Sequence, residues 1–408
     1  MKIAHIHKFG ASGGAGGAVS MRRLNAGLIH SGVDSRILCV EPTDPSPGVV
    51  VAPPSRIERK LNRLTASLTK DYGLEDILNV NARRIRKHPF FQAADVVNFH
   101  RIPDVISYLS LPGLTRDKPG VYTLCDMWGL TGHCRNSLDC ERWKTGCGKC
   151  PMAHLPPAIK HDLTGLQWKL KKSAYSRSNI TVVAKSTWFA ELARESILGC
   201  FPIHLIPNGI DTDLYRPKDR DESRSTLGIP AGKTVFMCMA QNFERFQKGG
   251  DLLIKALEFL PASLKSDIIL LTLGHKGEDI ATRSGLASVN LGYVSDDAIK
   301  TSAFSAADLF LFPSRAEIFG NVALESLACG TPVVAFNTCG NPDIVRHDIT
   351  GHLAEPENPR DFCQGIIRLL EDQPLREKLG RQGRETAVNE FHFELIVQKY
   401  IDLYKSLT

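Results

Sequence analysis

Short apolar runs alternate with helix-like segments along both halves of this chain, and this alternation limits the folds open to it. The candidate strands are 3–7, 35–40, 96–100, 121–125, 181–184 and 204–206, then 235–240, 268–273, 309–312, 333–336 and a short one near 352. Parallel strands need long crossovers that are usually helices, so alternation of this kind predicts parallel sheets in an α/β protein. Each half is therefore predicted to be a Rossmann-like unit.

The length supports two domains. At 408 residues the chain is about twice the usual size of a single domain. The turn at 207–211 and the polar run at 219–224 form a natural linker, which predicts domains over 1–209 and 210–391. A last amphipathic helix within 392–408 is long enough to return to the first domain. No run approaches the ~18 consecutive apolar residues of a membrane span.

Charge is distributed unevenly between the two halves. Residues 1–209 hold 28 Lys and Arg against 16 Asp and Glu, a net +12, whereas 210–408 hold 22 against 28, a net −6. The densest basic stretch, Arg56 to Lys87, carries Ile57, Leu61, Leu64 and Leu68 at helical spacing. A basic amphipathic helix of this kind can rest on an anionic membrane surface, or it can pack its apolar stripe on its own domain. Nucleic acid is not expected as a partner because no recognition motif accompanies the charge.

The opening residues bear on location. Residues 1–7 alternate like a strand and lack an apolar core of signal-peptide length. We therefore expect a cytoplasmic protein, with peripheral attachment to the inner face of the plasma membrane if the basic helix binds lipid.

A glycine-rich turn follows the first predicted strand. Its sequence, Gly-Gly-Ala-Gly-Gly-Ala over 13–18, leads into a helix predicted near 18–31. Such a turn lets backbone approach a phosphate while helix N–H groups point at it. Glycines are also needed where a strand and a helix pack closely, and the dinucleotide-binding pattern fails at Val19. Gly14 and Gly16 are therefore predicted either to contact a donor phosphate or to serve close packing.

The block over 314–335 carries the most chemical information. It reads SRAEIFGNVALESLACGTPVVA, with Glu317 and Glu325 eight positions apart and Phe319-Gly320 between them. A strand ends at Phe312-Pro313, and a helix predicted from about 320 to 328 would turn its free N–H groups toward the loop. This block resembles the signature of the family 4 retaining glycosyltransferases.

That resemblance implies a fold and a donor site. The family has two Rossmann-like domains facing a cleft, the arrangement called GT-B. In the family the first glutamate contacts the donor sugar, the second binds the ribose hydroxyls of the nucleotide, and the backbone amides between them hold the sugar and the diphosphate. The residues of this chain that take these places are Glu317, Phe319, Gly320, Asn321 and Glu325.

Shorter segments extend the resemblance over most of the chain. Residues 206–211 are similar to the segment between the domains, Lys248-Gly249 to the phosphate-binding turn, and 340–351 to the last common stretch, with Asp343 where Glu is usual. The resemblance implies that Lys248 contacts the diphosphate.

Two positions depart from the family pattern. Ala240-Gln241 stands where Gly-Arg is usual, so Arg245 is expected to supply the second cation beside Lys248. Cys125-Asp126 stands where the family has His-Asp. In the family that histidine contacts the region of the donor sugar. Its replacement by cysteine therefore leaves the identity of the donor undefined. It also leaves open that this chain is a relative that binds nucleotide sugars without catalysing transfer.

Four of the eleven cysteines lie within seventeen residues: Cys134, Cys140, Cys147 and Cys150. In a cytosolic chain such a cluster favours a closed metal site over disulfides. A Cys-x2-Cys pair with glycine inside directs two sulfurs to one ion, so the pattern predicts structural zinc. Disulfides or free thiols are the main alternative, and an iron–sulfur cluster is a weaker one. The segment also resembles a Cys-bearing insertion of one polysaccharide-synthesising branch of the family.

The reaction expected from these residues needs no metal or cofactor. No Asp-x-Asp pair follows a predicted strand, so fixed cations and helix ends would stabilise the leaving diphosphate, with Lys248 and Glu317 as the catalytic candidates. By resemblance, the anomeric configuration is retained. The candidates for the acceptor side are His100, Cys125, Asp126 and His133.

The sequence therefore predicts a glycosyltransferase that moves a sugar from a nucleotide-sugar donor to a glycan or lipid-linked acceptor in surface polysaccharide synthesis. Two other classes remain. An NAD-type oxidoreductase is supported by the glycine turn and by Glu41 near the end of the second strand. A non-catalytic protein that binds nucleotide sugars is supported by Cys125.

Overall fold

The computed structural model describes residues 1–11, 16–41 and 46–408. These residues form two compact units, one of 1–209 with 396–408 and one of 210–395. Each unit contains one fully parallel sheet flanked by helices, which confirms the predicted α/β class. The second unit extends four residues beyond the predicted end at 391, because the Phe393 N–H donates to the Ile210 carbonyl at 2.9 Å.

The sheet of the first unit has seven strands in the order β3-β2-β1-β4-β5-β6-β7. Their bounds are β1 Lys2–His7, β2 Asp34–Cys39, β3 Val49–Val51, β4 Val96–Phe99, β5 Gly120–Thr123, β6 Ile180–Ala184 and β7 Ile203–Leu205. The edge strand β3 was not predicted, because it has three residues and none of them is fully buried.

Helices of the first unit follow the strands along the chain. They are α1 Gly16–His30, α2 Arg56–Thr69, α3 Ala82–Lys87, α4 Pro89–Ala93, α5 Leu111–Leu114, α6 Thr164–Tyr175 and α7 Thr187–Glu195.

The sheet of the second unit has six strands in the order β10-β9-β8-β11-β12-β13. Their bounds are β8 Thr234–Asn242, β9 Ile268–His275, β10 Ala287–Asn290, β11 Leu309–Phe312, β12 Val333–Phe336 and β13 Gly351–Ala354. The central strands β11 and β12 are apolar and buried at every position, as expected for strands covered on both faces. The edge strand β10 was missed, since it is short, polar and largely exposed.

The helices of the second unit lie between these strands and after them. They are α8 Arg220–Thr226, α9 Gly250–Glu258, α10 Ala262–Lys265, α11 Gly277–Ser284, α12 Asp297–Ala306, α13 Asn321–Ala328, α14 Pro359–Glu371 and α15 Gln373–Phe391. The last helix, α16 Phe393–Leu407, begins in the second unit and belongs to the first from Ile396 onward. Within the described ranges, no helix combines the length and the apolar character needed to cross a membrane.

Candidate functional site

Two loops of the second unit meet where the neighbouring strands β8 and β11 end. Neighbouring parallel strands end at the same edge of a sheet, and ligands of such folds bind there. The loop after β8 carries Lys248, and the loop after β11 carries Glu317. Lys248 Nζ and Glu317 Oε1 form an ion pair, with side chains 27% and 19% exposed. The structure thus brings together the two residues that the sequence nominates as catalytic.

The turn beside Lys248 depends on glycine. Gly249 has a φ of +65°, in the left-handed region, and a Cβ there would overlap the Pro313 carbonyl oxygen. The next residue, Gly250, begins α9 and lies against the Phe243 carbonyl. Glycine therefore lets the turn pack on the neighbouring loop while the free N–H groups of α9 begin at the same place.

Arg315 holds the two loops together, and the sequence analysis missed it. Its guanidinium donates to both carboxylate oxygens of Asp251 at 2.7 Å and to the Phe246 carbonyl at 3.0 Å. The side chain is only 6% exposed. The hydrogen bonds that Arg315 donates to Asp251 raise the pKa of Arg315 further, so it stays charged. Its position inside the 314–335 block was the available clue, because a charged residue directly after a buried strand needs a partner.

The loop carrying Glu317 is fixed by the segment after β12. The Gly340 N–H donates to the Glu317 carbonyl at 2.9 Å. Asn341 is 1% exposed; its Nδ2 donates to the Phe336 carbonyl at 3.0 Å, and its Oδ1 has no hydrogen-bond partner among the described residues. Gly320 has a φ of +81° and precedes α13, and a Cβ on it would lie 3.7 Å from Asn341 Oδ1. Asn341 is thus a second polar group beside the start of α13 that sequence reasoning did not select.

The other predicted donor residues have different surroundings. Glu325 is 5% exposed and lies inside α13, while Asn321 is the first residue of that helix. Phe319 packs its ring edge-to-face on Phe391 at 5.8 Å, so only its backbone is left for a ligand. Arg245 is exposed and forms no ion pair with any residue in the described ranges.

The two predicted glycines belong to the other unit. Gly16 is the exposed first residue of α1 in the first unit. Gly14 lies outside the described residues.

The first unit contains a cavity of about 290 Å³ at the ends of β1, β4 and β5. It collects three of the four predicted acceptor-side residues, His100, Cys125 and Asp126. His133 lies elsewhere, where its Nε2 is 2.7 Å from the Pro157 carbonyl. The cavity is lined by His7, Phe9, Gly17, Ala18, His100, Arg101, Ile102, Pro103, Tyr122, Cys125, Asp126 and Arg135.

Two arginines in this cavity are oriented by carboxylates. Arg101 forms an ion pair with Asp104, and Arg135 pairs with Glu75 at 3.0 Å and with Asp126 at 3.7 Å. Glu75 Oε2 is buried and has no hydrogen-bond partner among the described residues. Both arginines therefore have carboxylate partners, which largely balance their charge.

Cys125, where the family usually has histidine, is a protonated thiol in this cavity. Burial raises its pKa above the ordinary value, and its Sγ lies 3.7 Å from the Thr123 carbonyl. Gly17 gives it room, since a Cβ there would be 3.4 Å from Sγ. The side chain can therefore contact a ligand without supplying charge.

The four clustered cysteines surround a second, smaller cavity together with His133 and Trp143. All four are free thiols, so the disulfide alternative is not what the structure shows. The Gly132 N–H donates to Cys147 Sγ at 3.1 Å, and positive φ at Gly148 and Lys149 turns the chain back toward Cys150. No three of the sulfurs lie within 4.8 Å of one another. The structure gathers the predicted zinc ligands at wider spacing than a closed site has.

Helix α2 presents its apolar residues away from the molecule. The side chains that are partly covered are polar ones at helical spacing: Asn62 Nδ2 donates to Asn81 Oδ1 at 2.7 Å, and Glu58 pairs with Arg84 at 2.9 Å. No residue of α2 is buried. The exposed apolar stripe is Ile57 at 81%, Leu61 at 42%, Leu64 at 58% and Leu68 at 63%. The alternative that this stripe packs on its own domain is therefore wrong.

Comparison with known proteins finds a family model that matches most of the second unit. Residues 219–386, which include Lys248 and both glutamates, match the family described as Glycosyl transferases group 1. D-inositol 3-phosphate glycosyltransferase 1 of Catenulispora acidiphila is 33% identical over 218 residues, covering 50% of this chain and 51% of that protein. The chain thus spans about half the length of this curated relative.

Solved structures share the fold over the whole chain. Sucrose-phosphate synthase from Thermosynechococcus elongatus has a TM-score of 0.71 at 20% identity, covering 100% of this chain and 98% of that one. HepE of Anabaena, solved with UDP and glucose, has a TM-score of 0.69 at 19% identity, covering 100% of both chains. These likenesses establish the GT-B type of α/β fold.

Proposed function

We propose that this protein is a glycosyltransferase that takes its sugar from a nucleotide-sugar donor bound by the second unit. The ion pair of Lys248 and Glu317, formed where two helix-leading loops meet within the family match, is the observation that carries the proposal. The proposal agrees with the likeness to a D-inositol 3-phosphate glycosyltransferase and to HepE, which was solved with UDP and glucose.

Lys248 and the first turns of α9 and α13 would stabilise the diphosphate as it leaves. Charge develops on that group as the glycosidic bond breaks, so fixed N–H groups and a lysine aimed at it act mainly in the transition state. Glu317 would then accept hydrogen bonds from sugar hydroxyls and keep Lys248 oriented before the donor arrives. Fixed protein charges perform this task, so the proposed reaction is metal-independent.

The proposed outcome is retention of the anomeric configuration. The bond between the anomeric carbon and the diphosphate oxygen breaks with its electron pair going to the phosphate. The acceptor hydroxyl forms the new bond on the face the phosphate leaves, and its proton passes to the departing phosphate oxygen. Glu325 would hold the ribose hydroxyls of the nucleotide.

The acceptor is proposed to bind the cavity of the first unit through His100, Cys125 and Asp126. The partners on this side are hydroxyl-bearing: a glycan or a lipid-linked oligosaccharide. Paired arginines and neutral polar groups in the same cavity suit a ligand with many hydroxyls, because they supply both hydrogen-bond donors and acceptors.

We further propose peripheral attachment to the anionic inner face of the plasma membrane, in surface polysaccharide synthesis. The apolar stripe of α2 is exposed, and the same helix carries four exposed basic residues: Arg56, Arg59, Lys60 and Arg63. An apolar stripe bordered by cations fits the boundary between anionic headgroups and acyl chains. This is where lipid-linked acceptors are presented.

A structural zinc ion held by Cys134, Cys140, Cys147 and Cys150 also belongs to the proposal. The shared cavity and the N–H donated to Cys147 Sγ favour it, and the sulfurs would need to close around the ion. Elemental analysis of the purified chain should find about one zinc per molecule, reduced in Cys147→Ser. A folded preparation without zinc would contradict this part.

Donor binding is the direct test of the proposed function. Thermal-shift measurements with UDP-, GDP- and ADP-glucose should show stabilisation by one base, because a ligand that binds only the folded state raises its apparent stability. Glu325→Ala should weaken that effect, and EDTA should leave transfer intact. Stabilisation without transfer to any glycan acceptor would favour a non-catalytic binding protein. No response to any nucleotide sugar would refute the proposal.

A further inference from the structure

A chain of buried hydrogen bonds runs through the first unit to the wall of its cavity. It links Asn25 of α1, Ser35 of β2, His5 of β1 and His100, the residue after β4. Ser35 Oγ lies 2.8 Å from Asn25 Oδ1, His5 Nε2 lies 3.0 Å from Ser35 Oγ, and His5 Nδ1 lies 2.9 Å from His100 Nε2. We call these four residues the histidine relay. None of them is more than 4% exposed.

The far end of the relay fixes the orientation of Asn25. Its Nδ2 donates to the Gly48 carbonyl at 3.4 Å, and a carbonyl can only accept. Gly48 has a φ of +70°, and a Cβ on it would lie 2.8 Å from Asn25 Nδ2. The amide is therefore held with Nδ2 toward Gly48 and Oδ1 toward Ser35.

From this end the direction of every hydrogen bond follows. Ser35 donates its only proton to Asn25 Oδ1, so it must accept from His5 Nε2–H. A neutral histidine carries one N–H, so His5 Nδ1 accepts, and His100 must donate from Nε2. His100 is then left with an unprotonated Nδ1.

The imidazole rings of His5 and His100 are both neutral between pH 5 and pH 8. Burial lowers the pKa of His5 to about 3 and holds that of His100 well below its ordinary value. The positive charge of Lys185 also lowers the pKa of His100, because it disfavours a protonated imidazole nearby. The tautomers derived from the hydrogen bonds are thus not disturbed by protonation.

His100 Nδ1 is buried and is the one side-chain nitrogen or oxygen of the relay without a hydrogen-bond partner among the described residues. His100 also lines the cavity that contains Cys125 and Asp126. We propose that His100 Nδ1 accepts a hydrogen bond from a hydroxyl of the bound ligand. Asn25, Ser35 and His5 are positioning residues that keep this nitrogen free of a proton. An unprotonated nitrogen attracts a hydroxyl and repels an anionic oxygen, so the relay selects which part of the ligand lies there.

The proposal rests on the proposed function only in naming the ligand as the acceptor sugar. Its physical content is testable on the full chain by ¹⁵N NMR of the histidine side chains. The ¹⁵N resonances of His100 are assigned as those that disappear from the spectrum of His100→Asn. We expect the tautomer protonated at Nε2, unchanged from pH 8 to pH 5. A His100 protonated at Nδ1, or charged at pH 6, would overturn the proposal.

Ligand binding is tested with methyl α-D-glucopyranoside as the probe and inorganic phosphate as the comparison. The sugar should shift the His100 Nδ1 resonance, whereas phosphate should not. His100→Phe should weaken sugar binding about tenfold, the loss expected for one hydrogen bond. His100→Asn should restore most of it, because its Oδ1 can accept in the same place. Equal affinities in all three proteins would overturn the assignment.

The positioning role has its own variant and control. Ser35→Ala removes the group that accepts from His5, so His100 should show a mixture of tautomers and sugar affinity should fall. Ser31→Ala, which removes a hydroxyl from the end of α1, should change neither. If UDP-glucose binds and His100 is protonated at Nδ1, only this inference fails. If no nucleotide sugar binds but the Nδ1 resonance responds to the probe, only the proposed function fails.

Discussion

The two units differ in where they carry their charged groups. In the second unit the charged groups lie at the candidate site itself, where Lys248 pairs with Glu317 and Arg315 pairs with Asp251. In the first unit the candidate cavity combines paired arginines with neutral histidines, and the outer helix α2 carries four exposed cations and one carboxylate. The net charges of +12 and −6 in the two halves therefore do not report which site binds an anion.

This difference follows from the free energy of burying a charged group with a partner and without one. A cation at the end of a strand can stay charged because a carboxylate or a diphosphate is its partner. A histidine inside a sheet has no such partner, so losing the proton costs less than burying the charge. The net positive charge of the first unit can thus act through long-range attraction to an anionic surface, and it says little about the groups inside the cavity.

The largest expected effect concerns the outer helix. Replacing Arg56, Arg59, Lys60 and Arg63 by Gln should lower partition to anionic liposomes by about 3–4 kcal/mol, a factor of several hundred, at ~1 kcal/mol for each cation. Co-sedimentation at low salt measures this, and added salt should weaken wild-type binding in the same direction.

Two controls separate charge from the apolar stripe. Neutral phosphatidylcholine vesicles should bind wild type weakly, and Leu64→Ser should reduce binding to anionic vesicles without changing its salt dependence. If wild type binds neither vesicle, the basic helix is merely solvated and charge in the first unit has no partner there.

A smaller effect is expected from a charge inside the second unit. Lys248→Ala should slow sugar transfer by about 10- to 100-fold, since one charge-assisted hydrogen bond is worth about 1.5–3 kcal/mol. Lys255→Ala, an exposed lysine on α9, is the matched control and should retain wild-type rates. An unchanged rate of sugar transfer in Lys248→Ala would show that Lys248 does not take part in the reaction. The contrast between a charged site in the second unit and neutral histidines in the first would then lose its functional meaning.

The smallest effect tests the neutral interior of the first unit. Burial lowers the pKa of His7 to about 4, with nearby Arg101 acting in the same direction. The unfolded chain takes up the proton near pH 6.5 and the folded one does not, so His7 lowers stability as pH falls below 6.5. From pH 7 to pH 5 the free energy of unfolding should fall by about 2 kcal/mol more in wild type than in His7→Phe. Urea unfolding at the two pH values measures this, and equal falls would mean that His7 is charged in the folded protein.

Much of the second unit was predictable because its chemistry is local in sequence. The ion pair joins two short motifs, and the start of α13 follows directly from Gly320. Arg315 was missed because its partners, Asp251 and Phe246, lie far along the chain. Asn341 was missed because only the folded structure shows its buried Oδ1 beside Gly320. The fold class was predictable for a similar reason, because each strand is an apolar run that can be recognised by itself.

The first unit was less predictable. The histidine relay depends on the register of β1 against β2 and β4, which no local sequence pattern encodes. His5 and Ser35 were therefore not selected from the sequence, and His100 was selected only as a histidine at the end of a strand. His133 was named with His100 as an acceptor-side candidate, yet it lies beside the cysteines. The edge strand β3 carries too few apolar residues to stand out.

Helix α2 has two sets of residues, one that attaches it to the first unit and one that faces outward. Glu58 and Asn62 attach it to the first unit, and its start is closed by a reciprocal pair of hydrogen bonds between Ser55 and Glu58. Ile57 and Leu64 contribute to neither. Substitutions in the apolar stripe therefore carry almost no folding penalty, so the chemistry of this surface can change while the unit beneath it keeps its fold.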